Sequence, residues 1–258
     1  MKVTVLGCGG SGGVPLIGNI WGACNPHNSK NRRHRCSILV QQGETTLLVE
    51  CGPDLREQLT KTQVSHVDAC LVTHAHADHI HGIDDLRRLF WINGNVPVPI
   101  YTSPEAYAEM SHRFHYAFRP FRYGVDAGAI PLRYVPVEGP FRVGEIEVIP
   151  FVQDHGLEHT SLGFRFGNFA YSTDVVRMSE ENFAVLEGVT HWIVDCVQYA
   201  PGHKAHSHFA QTLEWIDRVR PHHAWLTHMG VDLDYDELLA RCPAGVEPAY
   251  DGLEVHID

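Results

Sequence analysis

The chain has 258 residues, 44% of them apolar, and a formal net charge of −11. No apolar run reaches the roughly 18 residues a spanning helix needs, so no membrane partner is expected. The acidic balance opposes binding to DNA or RNA and favours a small ligand.

No Ser/Gly/Pro-rich linker or charge run divides the sequence, and a single domain over residues 1–258 is expected. The seven cysteines (Cys8, Cys24, Cys36, Cys51, Cys70, Cys196 and Cys242) are odd in number and follow no pairing framework. Reduced, mostly buried thiols are expected. The start, Met1 to Cys8, faintly imitates a lipoprotein cleavage site. Its apolar run falls short of the roughly 7 to 15 residues of a signal segment, and a cytoplasmic location is the expectation.

In chain order, β-rich runs predict strands at Lys2–Leu6, Ser37–Gln41, Thr45–Glu50 and Asp68–Thr73. A helix is predicted over His79–Phe90, with Ile83, Leu86 and Phe90 on one face. The segment His112–Arg119 mixes aromatics and cations, as either a partly buried amphipathic stretch or a lid over a sugar phosphate. Strands follow at Ile146–Val152, Ser161–Phe166 and Trp192–Val197. A second helix, His208–Val219, has Leu213, Ile216 and Val219 on one face and Ser207 as N-cap, before a last strand at Ala224–Thr227. Strands alternating with amphipathic helices imply an α/β fold with sheet covered by helices and chemistry at the strand ends.

The strand ends carry a uniform set of polar groups: Thr73 precedes His74, Gln153 precedes Asp154-His155, Ser172-Thr173 precede Asp174, and Thr227 precedes His228. The densest run is His74-Ala75-His76-Ala77-Asp78-His79. Two histidines at i and i+2 in extended chain point to one side, while Asp78 and His79 in a turn point toward a second centre. One peptide can thus supply ligands to two metals. A polar helix start with chance histidines would have no capping or packing purpose for so many imidazoles.

This run resembles the His-x-His-x-Asp-His signature of the metallo-β-lactamase superfamily. The later elements resemble that family's remaining motifs in order: His155 in Asp-His-Gly, Asp174 in Tyr-Ser-Thr-Asp and His228 in Leu-Thr-His. The resemblance implies an αββα sandwich with two divalent metal ions, one held by His74, His76 and His155 and the other by Asp78, His79 and His228, with Asp174 between them. Nitrogen and oxygen donors suit Zn²⁺ or Mn²⁺, and the donor list does not choose between them. Two such ions lower the pKa of a shared water and neutralise phosphoryl charge, which suits attack by hydroxide on a phosphodiester.

The opening Leu6 to Pro15, the basic run Asn31 to Ser37 and the ending Tyr250 to Glu254 are similar to the branch containing phosphoribosyl cyclic phosphate phosphodiesterases of phosphonate metabolism. That likeness implies a small cyclic phosphodiester such as phosphoribosyl 1,2-cyclic phosphate. It also implies catalytic roles for Asp78 and for His206 as general acid, with His208 as rival donor or substrate contact. Arg32, Arg33 and Arg35 are substrate-phosphate candidates, or else a solvated basic stretch. The branch's cysteine-ligated structural zinc is not expected. Asn19, Trp21 and Val231 stand at three of its four positions, and only Cys24 remains. The expected partner is a small phosphorylated substrate, with a homodimer as a further option.

Four other readings compete. Gly7-Cys8-Gly9-Gly10-Ser11-Gly12 matches a dinucleotide fingerprint literally, but Gly13, Pro15, Gly18 and Gly22 follow where a helix should open. A thioester hydrolase or an RNA 3′-end nuclease would share the metal motifs, although the latter needs a basic arm that is not apparent. A non-hydrolytic cofactor-biosynthesis or ligand-binding protein could keep the same fold.

Overall fold

The computed structural model describes residues 1–119 and 132–258. In chain order the strands of the first half are β1 (Lys2–Gly7), β2 (Ser37–Gln42), β3 (Thr45–Val49), β4 (Ala69–Leu71), β5 (Val98–Thr102) and β6 (Leu132–Pro136). The second half supplies β7 (Phe141–Val143), β8 (Ile146–Gly156), β9 (His159–Phe166), β10 (Phe169–Ser172), β11 (His191–Asp195), β12 (His223–Thr227), β13 (Val246–Pro248) and β14 (Glu254–His256). Helices are α1 (Leu55–Thr62), α2 (Ala77–Ile80), α3 (Leu86–Ile92), α4 (Pro104–Arg113), α5 (His115–Phe118), α6 (Glu180–Leu186), α7 (Phe209–Val219) and α8 (Tyr235–Arg241).

Two seven-stranded sheets result, ordered β14-β1-β2-β3-β4-β5-β6 and β13-β12-β11-β10-β9-β8-β7. Side chains alternate across a strand, and the sequence uses both faces. Val3, Val5, Val40, Leu47, Val49 and Leu71 of the first sheet share one apolar core with Val148, Phe164, Phe166, Tyr171, Trp192 and Leu226 of the second. The intervening Leu39, Leu48 and Cys70 pack outward against Leu55 of α1, Ile80 of α2, Leu86 and Leu89 of α3 and Met110 of α4. The architecture is therefore an α/β sandwich of four layers, αββα. All seven cysteines are unpaired, and only Cys242 is not fully buried. No helix among the described residues is long and apolar enough to cross a membrane.

The continuous helix expected over His79–Phe90 is instead broken into α2, a 3₁₀ turn at Ile83–Asp85, and α3. Gly82 explains the break: a Cβ there would lie 2.0 Å from the carbonyl oxygen of Gly52, and its N–H donates to Cys51 O at 2.8 Å. A Cβ on Gly52 would in turn meet Asp78 O at 2.0 Å, and Cys51 N–H donates to His79 O at 2.8 Å. The chain after the histidine-rich run is thus clamped onto the end of β3, which a regular helix could not do. Ser207 is likewise not the cap of α7. It is buried, its Oγ donating to Asp195 O at 2.6 Å, and His208 occupies the N-cap position. The strands not foreseen are short or contain proline, as β5 and β13 do, so they lack a period-2 signal.

The three runs that set the branch resemblance meet at one carboxylate. Asp251 accepts the backbone N–H of Cys8 at 3.2 Å and of His34 at 2.8 Å, and its Oδ2 lies 2.7 Å from His34 Nδ1. That hydrogen bond raises the His34 pKa above its ordinary value, while partial burial opposes it. A group with a raised folded-state pKa stabilises the fold fully below its unfolded pKa, about 6.5, and loses the contribution as pH rises through the folded value.

Gly82→Ala is expected to lower stability by about 1–3 kcal/mol, read as a shift in denaturant midpoint. Gly139→Ala, with nothing within 4 Å of the added carbon, should stay within about 0.5 kcal/mol of the parent. His34→Ala should cost more stability near pH 6 than near pH 9. An equal cost at both pH values would show that the His34–Asp251 ion pair adds nothing.

Candidate metal centre

Several strand ends converge on one point between the sheets. Beyond β4 the chain passes through Thr73 into His74 and His76, and the single turn of α2 then carries Asp78 and His79. His155 stands near the end of β8, Asp174 just past β10 and His228 just past β12. Apolar strand bodies fix these positions, because the core on both faces leaves the register no freedom to slip.

The donor atoms of His74, His76, His155 and Asp174 all lie within 4.8 Å of one another, as do those of Asp78, His79 and His228. Asp174 joins the two sets. Its Oδ1 is 3.7 Å from His74 Nε2 and 3.5 Å from His155 Nε2, and its Oδ2 is 3.2 Å from His79 Nε2 and 3.6 Å from His228 Nε2. One carboxylate oxygen faces each set. To reach this place Asp174 and His228 both adopt left-handed backbone, with φ of 57° each. Such conformations cost of order 1–3 kcal/mol in a non-glycine residue and persist only where the surroundings hold them.

The electrostatics are those of carboxylates buried among imidazoles. Burial alone would push the Asp174 carboxyl up, but His228, His79, His206 and His74 together outweigh it and hold it well below the usual carboxylate range. Burial likewise opposes ionisation of Asp78, and His79 and His228 reverse the effect. Desolvation lowers the His228 pKa, yet Asp174, Asp78 and Asp195 carry it to about 9. His74, desolvated and beside His79, is held well below its ordinary value.

Acceptors behind the histidines orient their rings. His155 Nδ1 lies 2.9 Å from Ala205 O, His74 Nδ1 is 2.9 Å from Thr73 Oγ1, and His79 Nδ1 is 3.3 Å from Glu50 Oε1. Fixing the outer nitrogen decides which nitrogen faces inward with a lone pair. Both ring nitrogens of His79 are nonetheless buried without a hydrogen bond, an arrangement that costs free energy in a protein interior. Inward lone pairs together with carboxylate oxygens fit divalent cations, which would relieve that cost. The His/Asp cluster is thus suited to divalent metal.

The histidines before α7 separate. His206 Nε2 lies 3.7 Å from Asp174 Oδ1, its Nδ1 lies 3.3 Å from Asp195 Oδ2, and its ring stacks on His228 at 4.3 Å. His208 caps α7 and belongs to none of these clusters.

The arginine candidates separate as well, with Arg33 turned inward. Arg33 is 2% exposed, donating to Leu233 O at 2.7 Å, Gly230 O at 3.2 Å and Asn31 Oδ1 at 3.2 Å, so it is neither solvated nor free to meet a phosphate. It sits beside Cys24, whose thiol donates to Val231 O at 3.2 Å, and so holds this loop through its guanidinium. Arg32 lies over the Trp21 ring at 5.1 Å, and Arg35 pairs with Asp54 at 3.0 Å. The His112–Arg119 segment packs beside the motif: Arg113 donates to Ala75 O at 2.6 Å, and Tyr116 to Asp84 Oδ1 at 2.6 Å.

Two residues escaped the sequence reading. Glu50 and Asp195 are fully buried carboxylates at the ends of β3 and β11, facing His79 in one case and both His206 and His228 in the other. The signal was present, since each closes an apolar run, Leu-Leu-Val-Glu50 and Trp-Ile-Val-Asp195.

Comparison with known proteins agrees with this geometry. A family model for the beta-lactamase superfamily domain matches residues 45–229. A crystal structure described as a new diphosphatase from the PhnP family is 32% identical, covers 98% of this chain and 96% of that one, and superposes with a TM-score of 0.90. Zn²⁺-bound PqqB from Methylobacterium extorquens shares the fold at 20% identity, full coverage of both chains and a TM-score of 0.73. An octanoyltransferase of Porphyromonas gingivalis is 29% identical over all of this chain, which spans only 52% of that relative's length. By the family match and by an identity that runs the length of both chains, the protein belongs to the beta-lactamase superfamily and to its PhnP family.

Proposed function

We propose that the protein hydrolyses a phosphodiester bond in a small phosphorylated substrate, using two divalent cations, Zn²⁺ or Mn²⁺. His74, His76 and His155 would hold one, and Asp78, His79 and His228 the other, with Asp174 between them. The observation that carries the reading is the placement of Asp174, with one carboxylate oxygen toward each donor set. When bound, such ions lower the pKa of a water and neutralise charge on phosphoryl oxygens.

The remaining work falls to side chains of this chain. Asp195 accepts from Nδ1 of His206, so Nε2, which lies on the Asp174 side of the ring, carries a proton to give in the imidazolium form. From there His206 can protonate the departing alkoxide, a contribution typically worth about 10²–10⁴ in rate. The buried Glu50 keeps His79 turned toward the site. Ribose 5-phosphate 1,2-cyclic phosphate, implied by the branch resemblance, is the first natural compound to assay. Cleavage of a phosphoanhydride is a second reading, favoured by the likeness to a diphosphatase, and it would use the same groups with a phosphate leaving group that needs less help from His206.

Asp174→Ala and His76→Ala are each expected to abolish turnover of bis(p-nitrophenyl) phosphate while unfolding stays cooperative. Undiminished turnover in either variant would remove the metal-centre mechanism. His206→Ala should slow cleavage of an alkyl ester by about 10²-fold or more, and of a nitrophenyl ester far less; equal slowing of both counts against a proton-donor role. Zn²⁺ or Mn²⁺ added back to metal-stripped protein should raise the melting temperature, gaining roughly 4 kcal/mol at a thousandfold excess over Kd. No shift with either ion would argue that the cluster binds neither.

A further inference from the structure

Between β11 and α7 the chain crosses one side of the donor cluster as a short strap, His203-Lys204-Ala205-His206-Ser207. Three of its groups meet the site. The Ala205 carbonyl oxygen lies 2.9 Å from Nδ1 of His155, the His206 ring stands between Asp195 and Asp174, and Ser207 donates its N–H to Asp195 Oδ2 at 3.0 Å. The strap is pressed backbone to backbone against the residue next to His155, since a Cβ on Gly156 would lie 1.9 Å from the Lys204 carbonyl oxygen.

The strap lies outside helix and sheet, so its backbone groups need partners of another kind. His203 supplies two of them. Its Nδ1 accepts the backbone N–H of Ala205 at 3.3 Å and of His206 at 3.1 Å. One acceptor closing on the N–H groups two and three residues onward is what Asn and Asp side chains do in tight turns, and an imidazole Nδ1 stands on its side chain where Oδ1 stands in Asn. The bonds fix the tautomer of the neutral ring, with the lone pair on Nδ1 and the proton on Nε2. The ring then lies 4.9 Å from that of His206. His203 is exposed and fills no core position, so what it contributes is the turn itself.

We propose that His203 is a positioning residue: by folding the strap it aims Nε2 of His206 at the departing oxygen and holds the Ala205 carbonyl against Nδ1 of His155. The claim on His206 rests on the phosphodiester reading, and the claim on His155 concerns the donor cluster alone. When the P–O bond breaks, its electron pair stays on the departing oxygen, which takes the Nε2 proton. A ring displaced by about 1 Å delivers that proton poorly, at a cost of up to about 10²-fold in rate. A His155 without its carbonyl loses the partner that fixes its inward nitrogen, a change that typically lowers metal affinity about 10–100-fold.

Two variants separate the turn from the bulk of the side chain, because His203→Leu removes the acceptor and His203→Asn, of nearly the same shape as Leu, restores it. With metal saturating, His203→Leu should slow cleavage of diphenyl phosphate, whose phenolate departs reluctantly, by about tenfold, and that of bis(p-nitrophenyl) phosphate by less than about twofold. Zn²⁺ titrated calorimetrically into metal-stripped protein should bind His203→Leu about tenfold more weakly than the parent. In His203→Asn both readouts should return to within about twofold of the parent. Rates and affinities unchanged in His203→Leu, with no more than a lower melting temperature, would overturn the inference. Equal slowing of the two esters would overturn the claim on His206, and an Asn variant no better than the Leu variant would overturn both claims. A parent protein that cleaves neither ester removes the phosphodiester reading and the claim on His206 with it, whereas the Zn²⁺ affinities still decide the claim on His155.

Discussion

Asp174 is 1% exposed, and five imidazoles, those of His74, His79, His155, His206 and His228, each place a nitrogen within 3.7 Å of its oxygens. A carboxylate taken out of water must be matched by cations and hydrogen bonds, or it is expelled or protonated. The match here is drawn from four separate strand connections, so no single segment can supply it. The two sheets must therefore be held at a fixed separation and register, and the shared core of Val, Leu, Phe and Trp side chains does this. The polar centre is expensive and the apolar core below it is what makes the expense bearable; neither would persist alone.

That demand reaches into the backbone. Glu50, Asp174 and His228 stand at the ends of three different strands and all three take left-handed φ, 71°, 57° and 57°. A strand continuing straight would carry these side chains past the centre. Turning left-handed at the last residue swings them inward, and the cost is covered by contacts made elsewhere. The glycine pair Gly52 and Gly82 allows the β3 end and the α2 turn to touch through backbone atoms. Asp251 and Arg33 perform the corresponding task for the loops that flank His228, binding four backbone groups between them: the N–H groups of Cys8 and His34, and the carbonyls of Gly230 and Leu233.

Much of this was legible in the sequence, and the reasons are physical. His74, His155 and His228 follow predicted apolar strands, so their place at strand ends could be read from local pattern, whereas the grouping with Asp174 into two donor sets came from the family resemblance. The break between α2 and α3 was not legible, because Gly82 is helix-compatible locally and is set aside only by contact with Gly52, far away in sequence. Arg33 misled for the same reason: a basic run reads as surface until its carbonyl partners, about 200 residues onward, are known. His206 and His208 were indistinguishable by spacing. Asp195, which meets the first and not the second, separates them only in three dimensions.

The net charge of −11 also bears on the proposed phosphodiester reading. Electrostatic steering toward the protein as a whole is unfavourable for an anion, and under that reading the pull would come from cations held at the donor cluster, over a distance short enough to escape screening, within about 8–10 Å at ordinary salt. The centre is built from strand ends, and the start of α4 and the turn between β8 and β9 lie beside it. The first are fixed by the burial of Asp174. The second carry exposed side chains whose charge can change without disturbing the core.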